Sequence, residues 1–302
     1  MERKNVKWLT VIGMLILLTA GSKISLTKSH NAAIKPPPPQ PTVKPPAPIL
    51  SIKSLDQKVD EKIIPLLLKS HGSAGSLLER GVGGPEGTRR PNGEFTQAYY
   101  GHQDPMCNYN WSASCSKGIT NLGSFSYQQA ADKPRALTPL QADRVQKQIL
   151  RLQALELFYQ ARRQHLQLNL FQLLSGIDLA NQSPMAACVQ QPNKAVVYKL
   201  AAGIDPNGSN TAKVTATFAK NNCSWGYIDR LAQAQRQKKL QGFDAVVYAR
   251  QWSYFNVDPT SGRFNNWDAG GLGNNPLVVK ADQLRRTLAV VSAMRYQVDN
   301  FK

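Results

Sequence analysis

The hydrophobic residues of the longest patterned tract, residues 138–182, recur at helical spacing. In its first half the apolar positions are three or four residues apart, which predicts a helix with one face in the core; they are Val145, Ile149, Leu152, Leu155 and Phe158. Thr138 and Pro139 precede this stripe and Gln141 follows three residues after the threonine. This order predicts that the helix starts with Thr138 as its N-cap.

Further helices are predicted along the rest of the chain. Leucines at 166, 170, 173 and 174 predict a second helix in the same tract, broken near Gly176. Ser76 and Glu79 have capping-box spacing and predict a short helix that ends in the glycines at 81, 83 and 84. Glu86 is therefore expected just beyond a helix end. Helical patterns also cover residues 56–68, 227–240, 243–254 and 276–294.

Two stretches have the composition of β structure. The turn sequence RPNGE leads into EFTQAYYGH, residues 94–102, whose aromatic and threonine content predicts a strand and a small hairpin. Residues 194–203 and 212–220 flank a turn-rich stretch and predict a β-hairpin insertion at about 188–223. The predicted fold class is therefore α+β, mainly α, with small β hairpins.

The N-terminal residues differ in composition from the rest of the chain. A basic start, MERKNVK, precedes an uncharged run over residues 8–21, which predicts a signal peptide or a signal anchor over residues 1–25. Residues 26–55 contain the segment KPPPPQPTVKPPAP and are interpreted as a stiff proline-rich spacer. Residues 56–302 then form the folded domain. We expect this domain to be exported to the periplasm or the cell exterior, with the leader either cleaved or retained in the inner membrane.

The chain is strongly basic. Its 302 residues carry 37 Lys and Arg against 19 Asp and Glu, a formal charge of +18, which favours polyanionic surroundings. No nucleic-acid-binding motif is visible in the sequence, and the export signal points away from nucleic acid. The expected partners are therefore peptidoglycan or another anionic envelope polymer, and a membrane through an uncleaved N-terminal segment. Solvation of a basic surface explains the charge equally well.

Four cysteines in an exported chain predict two disulfides, for which three connectivities exist. Pairing between sequence neighbours, Cys107 with Cys115 and Cys188 with Cys223, is the preferred one. Cys-x-x-Cys and His-x-x-x-His spacings do not occur in the sequence, so we expect neither a metal site nor a cofactor. His102 and Asp104 are two residues apart, but a turn explains both of them.

Glu86 is the strongest candidate for chemistry. Cleavage of a glycosidic bond needs a carboxylic acid that reaches the bridging oxygen, and partial burial at a helix end suits that role. Aromatic side chains provide flat faces on which sugar rings stack; they are Tyr99, Tyr100, Trp111, Trp252 and Trp267. A surface glutamate next to a glycine is the structural alternative.

The stretch LLERGVGGPEGT, followed by GEFTQAYYGH, resembles the lysozyme and lytic transglycosylase superfamily. The resemblance implies a lysozyme-like helical domain that cleaves peptidoglycan glycan strands, with the catalytic acid at the end of the first core helix and a β hairpin lining the cleft. It implies Glu86 as the acid, and Glu94 or Asp104 is the candidate for an assisting carboxylate. The candidate substrate-binding residues are Thr96, Tyr99, Tyr100, His102, Trp111 and Trp267. Gly83, Gly84 and Pro85 depart from the family pattern and predict that Glu86 sits on a loop.

The second carboxylate stays unassigned, and this leaves two mechanisms open. A muramidase needs a second carboxylate, whereas a lytic transglycosylase uses one glutamate as acid and then as base while the sugar's own hydroxyl attacks. Two alternatives from other classes are a non-catalytic protein that binds envelope glycan or polyanion, and a structural envelope protein without a saccharide site.

Overall fold

Helices make up most of the domain in the computed structural model, which describes residues 58–100, 102–103, 120–128, 137–192, 194–204, 225–254 and 276–301. The helices are α1 (Ile63–Leu68), α2 (Leu77–Glu86), α3 (Gln97–Tyr100), α4 (Pro139–Arg163), α5 (Leu170–Gln182), α6 (Pro184–Ala187), α7 (Lys194–Ala201), α8 (Tyr227–Arg236), α9 (Gly242–Tyr254) and α10 (Pro276–Asn300). The mainly α prediction is confirmed. The leader, the spacer, and the predicted site residues Asp104, Trp111 and Trp267 lie outside the described residues.

A small antiparallel sheet lies between α3 and α4 in the chain. Its strands are β1 (His102–Gln103), β2 (Thr120–Leu122) and β3 (Tyr127–Gln128), in the order β1-β2-β3. His102 pairs with Asn121, and Leu122 pairs with Tyr127. The sheet packs against α3 and α4, which brings it close to the C-terminal end of α2, where Thr88 Oγ1 donates to Ser124 O at 2.5 Å.

The core lies between α4, α5, α8, α9 and α10. The predicted capping box at Thr138 is confirmed, and of the predicted stripe only Ile149 is half-buried while its other four members are buried. The predicted break near Gly176 is wrong, because α5 runs through this residue to Gln182. A Cβ at Gly176 would lie 2.8 Å from Cε1 of Tyr227. This glycine therefore serves close packing and does not end the helix.

Helix α2 is longer than the sequence predicts. The Ser76 and Glu79 capping box is confirmed, but the helix continues past the three glycines and through Pro85 to Glu86. Gly87 ends it, with φ of 74°, a backbone conformation that glycine adopts without strain. The prediction that Glu86 lies on a loop is therefore wrong, because Glu86 is the last residue of the helix.

The glycines inside α2 are explained by close packing. A Cβ at Gly81 would lie 2.5 Å from Cδ2 of Leu174 on α5, and a Cβ at Gly83 would lie 2.9 Å from the backbone oxygen of Ser124. Both separations are shorter than carbon atoms tolerate. Tertiary contacts thus outweigh the low helix propensity of glycine in this segment.

The predicted strand over residues 94–102 is only partly correct. The turn is present, since Gly93 N donates to Arg90 O at 2.9 Å, and Arg89 pairs with Phe95 in an isolated bridge. Residues 97–100, however, form the short helix α3. The rings of Phe95 and Tyr99, four residues apart, stack with centroids 3.8 Å apart. A helical turn brings side chains at this spacing together, whereas a strand separates them.

The predicted β-hairpin insertion at 188–223 is wrong in its first half. Residues 194–201 form α7, which packs against α4 and buries Val197. Packing overrides the β propensity of its valines and tyrosine. The second predicted strand, residues 212–220, lies outside the described residues. Cys188 is disulfide-bonded, as predicted, but the other three cysteines lie outside the described residues and the neighbour pairing stays a prediction.

None of the helices in the described part of the chain is long and apolar enough to span a membrane.

Candidate active site

Glu86 lies at the C-terminal end of α2 with only 16% of its side chain exposed. Its Oε1 atom accepts hydrogen bonds from Arg286 Nη2 at 2.5 Å and from Asn181 Nδ2 at 3.0 Å. Among the described residues no donor reaches Oε2. One carboxylate oxygen is therefore fixed by the protein, and the other is available to a ligand or a proton.

Two buried arginines share a buried carboxylate behind Glu86. Asp178 on α5 is fully buried and binds Arg250 on α9 at 2.7 Å and Arg286 on α10 at 2.7 Å. Arg250 also donates to Gln283 Oε1 and to the Ser175 carbonyl. Such extensive hydrogen bonding is what a buried ion pair requires. We call Glu86, Asp178, Arg250 and Arg286 the ionic cluster.

The charges of the ionic cluster are balanced, with two cations and two carboxylates. Burial lowers the pKa of Arg286, but the neighbouring charges of Asp178 and Glu86 raise it by more, so the net change is upward. Arg286 stays charged when the charge of Glu86 changes, because Asp178 remains its partner. With both carboxylates charged, Arg250 and Arg286 each have a carboxylate partner and the ionic cluster is neutral.

Asn181 connects Glu86 to the sheet and to α4. Its Nδ2 atom donates to Glu86 Oε1 and to the Phe125 carbonyl, while its Oδ1 atom accepts from Gln146 Nε2 at 2.9 Å. Asn181 is near the end of α5, whose start is capped by Asn169. The amide is thus held from both sides, which fixes its orientation toward Glu86.

Tyr254 and Asp282 complete the surroundings of Glu86. Tyr254 is buried, and its hydroxyl has no hydrogen-bond partner among the described residues. Burial is the main cause that raises the pKa of Tyr254, and the charges of Asp282 and Glu86 add to the rise. Asp282 accepts from Gln182 Nε2 at 3.0 Å and from Arg285 Nη2 at 2.8 Å. Arg285 also donates to the Pro85 carbonyl at 3.1 Å, which ties α10 to the residue before Glu86.

A second polar cluster holds the segment after α2 in place. Glu79 binds Lys147 Nζ at 2.7 Å and Arg89 at 3.6 Å, and Arg89 Nε donates to Ser124 Oγ at 2.6 Å. Ser124 in turn donates to both carboxylate oxygens of Asp143, from its backbone N at 2.6 Å and from Oγ at 2.9 Å. Burial raises the pKa of Asp143 to about 6 despite these bonds. The cluster joins α2, the sheet and α4, so we assign it a structural role.

The structure places the predicted site residues in different surroundings. Thr96 lies next to Glu86, because its Oγ1 donates to the Gly87 carbonyl at 2.6 Å. Tyr99 is buried against Phe95, whereas Tyr100 is 65% exposed. Glu94 is 59% exposed and pairs with Arg90 on the surface.

Two further predicted residues are described in part. His102 lies in β1, and only its backbone is described. Trp252, on α9, is half-exposed near Tyr248. The described part of the chain contains no group of His, Cys, Asp or Glu side chains that could hold a metal ion.

Four residues around Glu86 were not expected from the sequence: Asn181, Asp178, Arg250 and Arg286. They lie 92 or more positions from Glu86 in the chain, so local patterns do not connect them to it. The available signal is the presence of ionisable residues within strongly apolar helical stretches, as at Asp178 in LLSGIDLA. Such residues are seldom fully buried without a partner.

Comparison with known proteins adds no family to this description. No family model, curated protein or solved structure matches the chain.

Proposed function

We propose that this protein is a lysozyme-like enzyme that cleaves the glycan strands of peptidoglycan, with Glu86 as the proton donor. The sequence resemblance implies a catalytic acid at the end of the first core helix, followed by a small β element. The position of Glu86 at the end of α2, ahead of the short sheet, supports this comparison. The predicted leader and spacer suit a domain that works on the cell wall from the periplasm or the cell exterior.

The observation that carries the proposal is the asymmetric environment of the Glu86 carboxyl. Its Oε1 is held by Arg286 and Asn181, and among the described residues Oε2 has no protein donor. A proton to be transferred would therefore reside on Oε2. A carboxyl that is held on one side and open on the other suits proton transfer to a bound oxygen.

The proposed reaction begins with protonated Glu86. It donates its proton to the bridging oxygen, the bond to the leaving sugar breaks, and Glu86 becomes a carboxylate. It then accepts a proton from an attacking water in a hydrolase, or from a hydroxyl of the same sugar in a lytic transglycosylase. Arg286 keeps its ion pair with Asp178 in both states of Glu86.

The choice between these reactions depends on a second carboxylate. Glu94 is on the surface and paired with Arg90, and Asp104 lies outside the described residues. Both reactions therefore stay in the proposal. Their products differ by one water, which mass spectrometry of the released fragments detects.

The test is release of soluble fragments from purified peptidoglycan by the parent protein and by Glu86→Gln. We expect the substitution to reduce the rate by at least about 100-fold, because a general acid contributes a factor of that order or more. Glu61→Gln is the matched control, since Glu61 pairs with exposed Arg162 and has no contact with the Glu86 site among the described residues, and it should keep most of the activity. Equal rates for the parent and Glu86→Gln would rule out the assignment.

The second candidate is a non-catalytic protein that binds envelope glycan or polyanion. Exposed aromatic side chains favour it, in particular Tyr100, Trp252 and Phe95, because such faces stack on sugar rings. This candidate predicts that the parent releases no fragments and that Glu86→Gln binds peptidoglycan as the parent does. Cosedimentation with insoluble peptidoglycan measures that binding.

A further inference from the structure

One end of the described domain carries a concentration of exposed cations. We call it the basic end; its residues are Lys58, Arg162, Arg163, Arg236, Lys238 and Lys239, all of them exposed. Contacts place them together: Arg236 Nη2 donates to the Gln164 carbonyl, so the end of α8 lies beside the end of α4. Lys58 forms a bridge with Asn169, five residues after Gln164.

Carboxylates near the basic end do not balance this charge. Glu61 pairs with Arg162, and Asp229 is half-buried and accepts from Gln164 Nε2. Asp60 and Asp244 are exposed. With half-buried Arg230 included, seven cations face four carboxylates. Seven cations minus four carboxylates leave a net charge of +3, so this end of the domain is positive.

The basic end lies where the described chain begins. Lys58 is the first described residue, and Val59 N donates to Leu168 O at 2.9 Å. The residues that precede Lys58 in the sequence include the predicted signal or anchor over residues 1–25. The chain therefore enters the described domain at its basic end.

The basic end and the Glu86 site lie at opposite ends of the same helices. Helix α5 starts after Asn169 at the basic end and carries Asn181, which binds Glu86, near its other end. At about 1.5 Å per residue, the two asparagines are roughly 18 Å apart along the helix axis. Helix α9 likewise runs from Gly242, just after Lys239, to Tyr254 beside the site.

We infer that the basic end docks on the anionic phospholipid headgroups of a membrane. Charge complementarity and the distance from Glu86 support the inference. Docking through this end turns the Glu86 site away from the bilayer. The attraction is electrostatic, so it weakens with salt. The inference does not depend on the proposed catalytic function.

The test measures binding of the full chain to vesicles of equal parts phosphatidylglycerol and phosphatidylcholine, with pure phosphatidylcholine vesicles as the reference. The test variant is Arg163→Glu with Lys238→Glu. The control variant is Arg144→Glu with Lys280→Glu, which changes two exposed cations outside the basic end and reaches the same net charge. Circular dichroism checks that both variants keep the helical content of the parent.

We expect the test variant to lose about 30-fold or more of the phosphatidylglycerol-dependent affinity, and the control about threefold or less, because each basic residue close to an anionic surface adds roughly a fivefold factor. The reference vesicles account for insertion of the N-terminal apolar run, which needs no anionic lipid. Equal losses in the two variants would overturn the inference, since net charge alone would then explain binding. Binding to dextran sulfate, a soluble polyanion, is measured alongside. If the test variant lost binding to dextran sulfate but bound vesicles as the parent does, the inference would also be overturned, and the basic end would be assigned to a soluble polyanion.

Discussion

Replacing Asp178 by Asn tests the ionic cluster that holds Glu86. The substitution keeps the size of the side chain but removes the carboxylate that Arg250 and Arg286 share, both of them buried. Arg286 keeps Glu86, while Arg250 loses its only carboxylate among the described residues. Removing one partner from a buried ion pair costs about 3–5 kcal/mol, because a buried charge is left uncompensated. We therefore expect Asp178→Asn to lower the free energy of unfolding by about that amount.

Urea unfolding at neutral pH, followed by tryptophan fluorescence, measures this loss. Glu86→Gln should cost less, about 1–2 kcal/mol, because Arg286 then keeps Asp178. Asp282→Asn is the matched control, since its partner Arg285 is exposed and such pairs contribute about 1 kcal/mol or less. If Asp178→Asn cost no more than Asp282→Asn, the ionic cluster would not be the support for Glu86 that we describe.

Three further predictions concern stability. Burial raises the pKa of Asp143 to about 6 from an ordinary 3.8, so between these pH values the folded state binds more protons than the unfolded state. The free energy of unfolding should therefore fall by about 3 kcal/mol as pH rises from 3.8 through 6. Urea unfolding at pH values on either side of this range should show this fall in the parent and not in Asp143→Asn. Gly93→Ala should lower the free energy of unfolding by at least about 2 kcal/mol. The reason is that φ of Gly93 is 89° and a Cβ there would lie 2.1 Å from the backbone oxygen of Ala74. An unchanged melting temperature would contradict this. Tyr254→Phe should be neutral or stabilise by up to about 1 kcal/mol, because it removes a buried hydroxyl that has no partner in the described part of the chain. A loss of about 1 kcal/mol or more in urea unfolding would contradict this.

Local signals in the sequence predict where the helices start better than where they end. The capping boxes at Ser76 and Thr138 are both confirmed, because each depends on residues within four positions of one another. The end of α2 is different, since its glycines are required by contacts with Leu174 and Ser124 that are far away in the chain. Single-sequence reasoning interprets such glycines as helix ends.

The same limit applies to the candidate site. Glu86 stands out from the residues beside it, but the residues that hold it come from α5, α9 and α10. No spacing rule relates Glu86 to Arg286, 200 positions later. Residues 194–201 show a related effect, because their β-branched composition predicts a strand while packing against α4 makes them a helix.

The central claim is that Glu86 transfers the proton that breaks a glycosidic bond. Mass spectrometry of purified peptidoglycan incubated with the parent, Glu86→Gln and Glu61→Gln tests it most directly, because it counts newly formed glycan ends. We predict new ends with the parent and Glu61→Gln and almost none with Glu86→Gln. New ends at the parental level with Glu86→Gln, or none with the parent protein, would contradict it.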